Sequence, residues 1–276
     1  MGLVQGAADI DGARLSYAIA GSGPAVVLVH EGICDMRMWD PQVEPLLAAG
    51  RRVVRYDLRG YGSSTLPPGR FSHVGDLRGL LDVLEIQSAA VVGVSVGGRI
   101  SLELALVHPE LVEALVLVGA GLRDWEWSPE VRKFGEEEEA LVDRGEVDDA
   151  VELNLRMWVD GPERAPSEVD PEVRERVRQM QRRAFEIDLA AFEQEPHPGP
   201  EDPLEPPASA RLAEVSAPTL VLVGDKDQPD ILRIADVLTD GIPGARKVEI
   251  PDTAHVPSME KPDEFNRLLL EFLNES

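Results

Sequence analysis

Short, continuous apolar runs alternate along the chain with segments whose apolar residues recur at helical spacing. Continuous runs occupy Ala25–Val29, 111–118 and Thr219–Gly224, as is typical of strands that are buried on both faces of a sheet. Between such runs, apolar residues on one helical face predict helices, for example from Ser72 onwards. Strands that alternate with helices, without hairpin turns between them, predict a parallel α/β sheet with right-handed crossovers.

The same patterns predict the remaining elements of this α/β core, and we find no internal repeat. Predicted strands lie at Ala13–Ala20, 52–57, 89–92 and Arg246–Ile250, and predicted helices begin near residue 38 and cover 96–108, 231–238 and 263–273.

The α/β pattern breaks between about residues 121 and 210, where polar and charged residues dominate. Arg and Gln recur at helix-compatible spacing over 173–186, and a proline-rich stretch over 196–207 predicts a loop or linker. We therefore predict a core of residues 1–120 and 211–276. A mainly helical cap of residues 121–210 is predicted to be inserted after the sixth strand.

Ser95 lies between Gly93 and Gly97, just after one predicted strand and before one predicted helix. This is the context of a G-x-S-x-G nucleophile elbow, a sharp and strained turn that raises the serine hydroxyl above a sheet. Glycines on both sides prevent clashes in such a turn, and the first helical amides point at the group that the hydroxyl attacks. A glycine-rich turn without chemistry is the alternative, and the flanking strand and helix favour the elbow.

A serine hydroxyl needs a positioned base, usually histidine, to take its proton. Among five histidines, His255 is the best placed, because its loop follows the last predicted strand. Such loops open at the carboxyl ends of parallel strands, where Ser95 also lies. His30 also follows a strand, and we assign it a structural role in its loop. Packing or exposure is expected for the other histidines, His73, His108 and His197.

An acid must orient the imidazole and stabilise its charged form. Asp225 and Asp227 both follow the strand at Thr219–Gly224. We favour Asp227, which lies further into the loop, and expect Asp225 to bond backbone amides of the turn. Asp124 is a third candidate, and a purely turn-forming role for the first two aspartates is the alternative.

The composition limits the partners and the compartment. With 27 Lys and Arg against 51 Asp and Glu, the formal net charge is −24, which repels nucleic acids and anionic membranes. The one cysteine, Cys34, allows no intramolecular disulfide, and nothing nearby in sequence would stabilise its thiolate. We see neither a signal peptide nor an apolar run long enough for a membrane span. We expect a soluble, cytoplasmic protein that binds neither nucleic acid nor membrane.

The chain order serine, aspartate, histidine is that of α/β-hydrolases. The elbow and the stretches 30–42, 55–64 and 251–265 resemble the α/β-hydrolase superfamily over nearly the whole chain. Within it, the chain resembles the serine-nucleophile branch of 3-oxoadipate enol-lactonases and carboxylesterases. The resemblance implies an α/β-hydrolase fold, with a mostly parallel eight-stranded sheet flanked by helices.

The resemblance also implies an oxyanion hole made by the backbone amides of Val96 and Gly32. Two fixed donors of this kind typically contribute about 10²–10³ in rate each. This loop departs from the family's usual sequence at one position. The family commonly has glycine directly after the histidine, whereas this chain has Glu31. Because a carboxylate there would disfavour negative charge on the substrate, we expect the side chain of Glu31 to point outward.

Large side chains in the cap and near His30 are candidates for the substrate pocket. They are Trp39, Trp125, Met157 and Trp158, with Trp127 and Phe185 as further candidates. A core position is the alternative for about half of them. Arg37, Arg123 and Arg156 could hold a substrate carboxylate, although surface salt bridges are the expected role of each.

These features predict a serine hydrolase that cleaves small-molecule esters or lactones through an acyl-enzyme, without a metal or organic cofactor. Ser95 attacks, His255 transfers the proton and Asp227 orients His255. An enol-lactonase and a ligand receptor with little turnover are the alternatives. Perhydrolase and carbon–carbon bond hydrolysis use the same triad, whereas dehalogenases and epoxide hydrolases of this fold use an aspartate nucleophile. The oligomeric state, monomer or dimer, stays open.

Overall fold

The computed structural model describes residues 2–193 and 195–275. The strands in these ranges are β1 (Val4–Ile10), β2 (Ala13–Ala20), β3 (Ala25–Val29), β4 (Arg52–Tyr56), β5 (Gly69–Phe71), β6 (Ala89–Val94), β7 (Val112–Val118), β8 (Pro198–Glu201), β9 (Thr219–Gly224) and β10 (Arg246–Ile250). The α-helices are α1 (Asp40–Ala48), α2 (His73–Val83), α3 (Val96–Val107), α4 (Pro129–Asp143), α5 (Val147–Asn154), α6 (Pro171–Phe192), α7 (Pro229–Gly241), α8 (Pro257–Glu260) and α9 (Pro262–Glu275).

Eight strands form one sheet in the order β1-β2-β4-β3-β6-β7-β9-β10. Strands β1 and β2 pair antiparallel, β2 also pairs antiparallel with β4, and the other neighbours are parallel. The predicted eight-stranded, mostly parallel sheet is therefore confirmed. The sequence pattern missed β1, which forms a hairpin with β2 through a turn at Asp11 and Gly12.

Successive residues of the central strands point to opposite faces of the sheet, and each face has its own apolar core. In β3, Val27 and Val29 belong to one core, whereas Val26 and Leu28 belong to the other. The first core includes residues of α2, α3 and α7, and the second includes residues of α1 and α9. Burial on both faces explains why these strands are continuously apolar rather than alternating.

The segment between β7 and β9 contains α4, α5, a π-helical stretch at Leu155–Asp160 and α6. It follows the sixth strand of the main sheet, which confirms the predicted helical insertion. The prediction of a loop over 196–207 is wrong in part, because β8 lies there and pairs in parallel with β5. The domain boundaries at residues 121 and 210 stay a prediction.

A buried ion pair joins the loop after β4 to α2. Arg59 and Asp76 are 4% and 1% exposed, and the guanidinium donates to both carboxylate oxygens, at 2.9 Å from Nε and 2.6 Å from Nη2. Bidentate pairing of this kind fixes both side chains. Because Arg59 also lines the large cavity described below, the pair holds one wall of that cavity in place.

We expect Arg59→Ala to lower the free energy of unfolding by about 3–5 kcal/mol, because Asp76 is then left buried without its partner. Arg78 and Asp82 form a matched exposed pair on the same helix, at 3.8 Å. We expect Arg78→Ala to cost less than about 0.5 kcal/mol. Urea unfolding of both variants measures the difference, and equal losses would show that the buried pair does not stabilise the fold.

None of the helices within residues 2–193 and 195–275 is both long and apolar enough to cross a membrane.

Candidate active site

Ser95 occupies a strained turn between β6 and α3. Its backbone has φ 52° and ψ −115°, a region that residues other than glycine rarely adopt. A Cβ atom on Gly93 would lie 2.2 Å from the carbonyl oxygen of Gly97, and one on Gly97 would lie 2.4 Å from the carbonyl oxygen of His30. Only glycine fits at either position, so the two glycines let β6, α3 and the loop after β3 meet around Ser95.

His255 and Asp227 form a buried hydrogen-bonded pair, each 2% exposed. The Nδ1 atom of His255 lies 2.8 Å from Oδ2 of Asp227, and the other carboxylate oxygen accepts from the backbone amide of Gln228 at 2.7 Å. The backbone amide of His255 donates to the carbonyl oxygen of Trp158 at 3.1 Å. With Nδ1 bound to Asp227, the imidazole presents Nε2 on its other side.

The two other aspartates considered from sequence lie elsewhere. Asp225 lies in the loop between β9 and α7, where its backbone amide donates to the carbonyl oxygen of Ile250 at 3.2 Å. The expected hydrogen bonds from its carboxyl to backbone amides are not seen at Oδ1, which is buried without a partner within the described residues. Asp124 accepts a hydrogen bond from the Ser209 hydroxyl. Asp227 is thus the aspartate of the three that reaches the imidazole of His255.

His30 fixes the loop after β3. Its Nε2 accepts from the backbone amide of Leu58 at 2.8 Å, and its Nδ1 donates to the carbonyl oxygen of Glu31 at 2.6 Å. Burial lowers the pKa of His30 to about 4, so the ring is neutral at physiological pH. The structural role expected for His30 is confirmed, and the loop that it holds contains Gly32.

The expectation that Glu31 points outward is wrong. Its side chain is only 1% exposed, its Oε1 accepts from the Cys34 thiol at 3.1 Å, and its Oε2 lies 3.7 Å from Nε2 of His255. Attraction to His255 and the thiol hydrogen bond hold the carboxyl inside. Burial nevertheless dominates and raises the pKa of Glu31 to about 7.

The same neighbourhood keeps Cys34 unreactive. Burial, followed by the charge of Glu31 and the hydrogen bond to it, raises the pKa of the thiol well above its ordinary value. Because the thiolate is the nucleophilic form of cysteine, Cys34 remains a protonated hydrogen-bond donor. The low reactivity expected for Cys34 agrees with this raised pKa.

The carboxylate of Glu31 beside Nε2 stabilises the protonated form of His255. Burial alone would lower the pKa of His255, but Asp227 and then Glu31 more than offset it, so the pKa is raised. Because only neutral imidazole can accept a proton, a raised pKa moves the acidic limb of the rate profile to higher pH.

We therefore expect Glu31→Gln to move the acidic limb of kcat/KM to lower pH. The amide keeps the volume of the side chain but removes the charge that favours the imidazolium. Rates of ester hydrolysis measured from acid to neutral pH test this. Glu249→Gln, at an exposed position of β10, is the control and should leave the profile unchanged. An unmoved or upward-moving limb in Glu31→Gln would contradict this electrostatic account.

Ser95, His255, Glu31, Gly32 and Val96 line one cavity of about 590 Å³. It lies between the carboxyl ends of the central strands and the inserted helices, as ligand sites in parallel α/β sheets usually do. The cavity therefore brings together Ser95 and His255 of the predicted triad with Gly32 and Val96 of the predicted oxyanion hole.

Of the four residues predicted to line the pocket, Trp158 does so and the others lie elsewhere. Trp39 is completely buried in the second core, with its ring 6.1 Å from that of Phe265. The indole of Trp125 donates to Asp230 at 3.0 Å, and the backbone of Met157 accepts from Gln228 at 2.7 Å. Trp39 therefore packs in a core, and Trp125 fixes the loop before α4 to Asp230.

Of the two further aromatic candidates for the pocket, one lines the cavity and one does not. Phe185 lines the cavity, whereas Trp127 packs against the first core. Arg37 and Arg156 pair with Asp35 and Asp160, both at 2.7 Å, and Arg123 pairs with Glu201. The expected ion-pairing role of these arginines is confirmed.

Several residues of the cavity wall were not predicted from sequence. They are Tyr61, His73, Phe134, Glu138, Gln181, Asp188 and Glu201. The sequence does place three residues of this wall on one helical face: Gln181, Phe185 and Asp188. Phe185 follows Gln181 by four residues, and Asp188 follows Phe185 by three. What that face packs against is determined only when the inserted helices fold over the sheet.

The family model of the alpha/beta hydrolase fold matches residues 24–262. The chain belongs to the α/β-hydrolase family. This α/β hydrolase is 39% identical over 115 residues to an uncharacterized protein of Mycobacterium tuberculosis (strain ATCC 25618 / H37Rv), a match that covers 41% of this chain and 33% of the relative. The chain thus matches only about a third of that relative's length.

Two solved structures match this α/β hydrolase over nearly all of both chains. The enol-lactonase of Burkholderia xenovorans LB400 has a TM-score of 0.78 and 26% identity, with 98% of this chain and 100% of that chain covered. A thermophilic esterase of Thermogutta terrifontis has a TM-score of 0.76 and 26% identity, with 100% and 99% covered. The family and these neighbours support a hydrolase activity.

Proposed function

We propose that this α/β hydrolase cleaves carboxylic esters or lactones of small molecules through Ser95, His255 and Asp227. One observation carries the proposal: His255, whose Nδ1 lies 2.8 Å from Oδ2 of Asp227, shares a cavity with a serine in the strained turn of a nucleophile elbow. This combination of nucleophile, base and orienting acid is what acyl transfer requires.

In the proposed mechanism, Nε2 of His255 takes the proton of the Ser95 hydroxyl as the oxygen attacks the substrate carbonyl. Asp227 holds the proton on Nδ1 and stabilises the imidazolium. The backbone amides of Gly32 and Val96 donate to the oxyanion of the tetrahedral intermediate. His255 then gives its proton to the departing alcohol oxygen, and an acyl-enzyme remains on Ser95.

Water completes the cycle. His255 takes a proton from a water molecule, the resulting hydroxide attacks the acyl-enzyme, and the carboxylic acid leaves as the proton returns to Ser95. In a lactone, the alcohol oxygen and the acyl carbon belong to one molecule, so the product is a single hydroxy acid. None of these steps calls for a metal or an organic cofactor.

A substrate panel tests the proposal. It contains p-nitrophenyl esters from acetate to dodecanoate, γ-lactones and an enol-lactone, assayed with wild type and Ser95→Ala in parallel. Ser95-dependent turnover of any ester or lactone supports the proposal, and the preferred member separates esterase from lactonase. Turnover that is the same in both proteins, or no turnover and no labelling by a serine-directed phosphonate, would contradict it.

A further inference from the structure

Three carboxyl groups from separate elements face the cavity. Glu31 lies in the loop after β3, Glu138 on α4 and Asp188 on α6, and all three line the wall. Burial, followed by the charges of Asp188, Glu138 and Glu31, raises the pKa of Tyr61 to about 12. All three carboxyls and this phenol line the same cavity.

These carboxyls lack cationic partners of the ordinary kind. Within residues 2–193 and 195–275, no ion pair with Lys or Arg involves Glu31, Glu138 or Asp188. Glu138 accepts a hydrogen bond from the amide of Asn154, a neutral donor. Burial raises the pKa of both Glu138 and Asp188, which shows that their charged forms are poorly compensated.

The guanidinium groups near the cavity are already neutralised. Arg59 is paired with Asp76, and Glu201, the fourth acid on the wall, is paired with Arg99 at 2.8 Å and with Arg123. Among the described residues, the carboxyls of the wall that lack a Lys or Arg partner are therefore Glu31, Glu138 and Asp188. A substrate carboxylate would meet repulsion here, whereas a cation would restore the balance.

A second, independent feature is an acceptor without a donor. Gln181 is 4% exposed and lines the cavity, and its Oε1 is buried with no hydrogen-bond partner within the described chain. A buried acceptor in this state carries a free-energy cost that a ligand N–H removes. Gln181 lies seven residues before Asp188 on α6, so both side chains lie on the same helical face.

Aromatic rings also line this cavity. The rings of Phe134 and Trp158 meet edge to face at 5.7 Å, and both line the cavity together with Tyr61. Ring faces attract cations that lose their water on binding. In the part of the chain that the structure describes, carboxyls without cationic partners, an unpaired carbonyl and aromatic rings together suit a protonated amine.

We propose that the cavity selects substrates whose acyl part carries a protonated alkylamine, with the ammonium group between Glu138 and Asp188 and one N–H donated to Gln181. The inference rests on the proposed ester or lactone hydrolysis, since it names the substrate class of the same site. It also separates this protein from enzymes that take carboxylate-bearing lactones. A quaternary ammonium carries the charge but cannot satisfy Gln181, so it should bind less well than the amine.

Matched esters test the proposal. We would measure kcat/KM for p-nitrophenyl ω-aminohexanoate, for the neutral p-nitrophenyl heptanoate, for the monoanionic p-nitrophenyl adipate and for the trimethylammonium analogue of the first. Wild type should prefer the amine over the neutral ester by about 10- to 100-fold and turn over the adipate ester least. The trimethylammonium ester should fall between the amine and the neutral ester.

Variants then assign the selectivity. Glu138→Gln and Asp188→Asn should each lower the ratio of kcat/KM for the amine to kcat/KM for the neutral ester by about tenfold, and urea unfolding shows whether the variants fold. Glu136→Gln, on the exposed face of the same helix α4, is the control and should leave this ratio unchanged. As a second measurement, hexylammonium should inhibit hydrolysis of the neutral ester in wild type and less in the two variants.

The outcomes distinguish the two proposals. Ser95-dependent hydrolysis of all four esters at similar kcat/KM, or equal losses for amine and neutral ester in the variants, would overturn the ammonium site and leave the hydrolase proposal standing. Hydrolysis of none of the esters, with inert Ser95, would overturn the proposed function itself. A preference for the adipate ester would show that the wall carries protonated, uncharged acids and would overturn the inference.

Discussion

Replacing Ser95 with alanine is expected to lower kcat for ester hydrolysis by about four to six orders of magnitude. The hydroxyl is the atom that becomes acylated in the proposed mechanism, and no other group on the cavity wall replaces it. The Cys34 thiol, which is close in sequence to Gly32, is kept protonated by burial and by Glu31. Hydrolysis of p-nitrophenyl acetate by purified wild type and variant measures the loss.

Ser88→Ala is the matched control. Its hydroxyl donates to Glu113 outside the cavity, so its loss should leave kcat within about twofold, as is usual for surface changes. Alanine retains a Cβ atom at position 95, where φ is 52°, so the backbone strain is unchanged and the variant should unfold at a similar temperature. A folded Ser95→Ala protein that retains more than about a tenth of the wild-type rate would remove Ser95 from the mechanism.

Replacing Asp227 with asparagine is expected to lower kcat by roughly 10⁴-fold near neutral pH. The carboxylate holds the Nδ1 proton of His255 at 2.8 Å, and an amide can instead donate to Nδ1 and favour the wrong tautomer. It also loses the charge that raises the pKa of His255 against the effect of burial. The measurement is kcat from pH 5 to 9, a range of about two units on each side of neutrality.

Asp225→Asn is the control for this change, two residues away in the same turn. Its carboxyl is not the one that reaches His255, so kcat should stay within about threefold of wild type. A large loss in Asp225→Asn together with near-normal turnover in Asp227→Asn would reverse the assignment of the orienting acid. Equal moderate losses in both would indicate a disturbed turn instead.

The central strands and the elbow could be predicted because their physical causes are local. Strand β3 is apolar at every position since both of its faces are covered, and Gly93 and Gly97 are dictated by the close approach of backbone atoms. Strand β1 was missed because it is an edge strand with largely exposed residues at its start. Strand β8 was missed because its two prolines suggested a loop.

The cavity wall could not be predicted in the same way. Trp39 and Trp158 are equally large and apolar in sequence, and only tertiary packing places the first against Phe265 of α9 and the second beside His255. Glu138 belongs to an acidic run that is typical of a solvated helix face. The inward orientation of Glu31 depends on His255, a residue more than two hundred positions away in sequence.

The central claim is that Ser95 is a nucleophile activated by His255. Its most direct test is the mass of the intact protein after treatment with a serine-directed p-nitrophenyl phosphonate, followed by peptide mapping, in wild type and His255→Ala. The account predicts one phosphonyl group per chain, on Ser95, formed at least about a hundredfold more slowly in His255→Ala. A folded wild-type protein that takes no label, takes it on another residue, or is labelled equally fast without His255 would contradict the account.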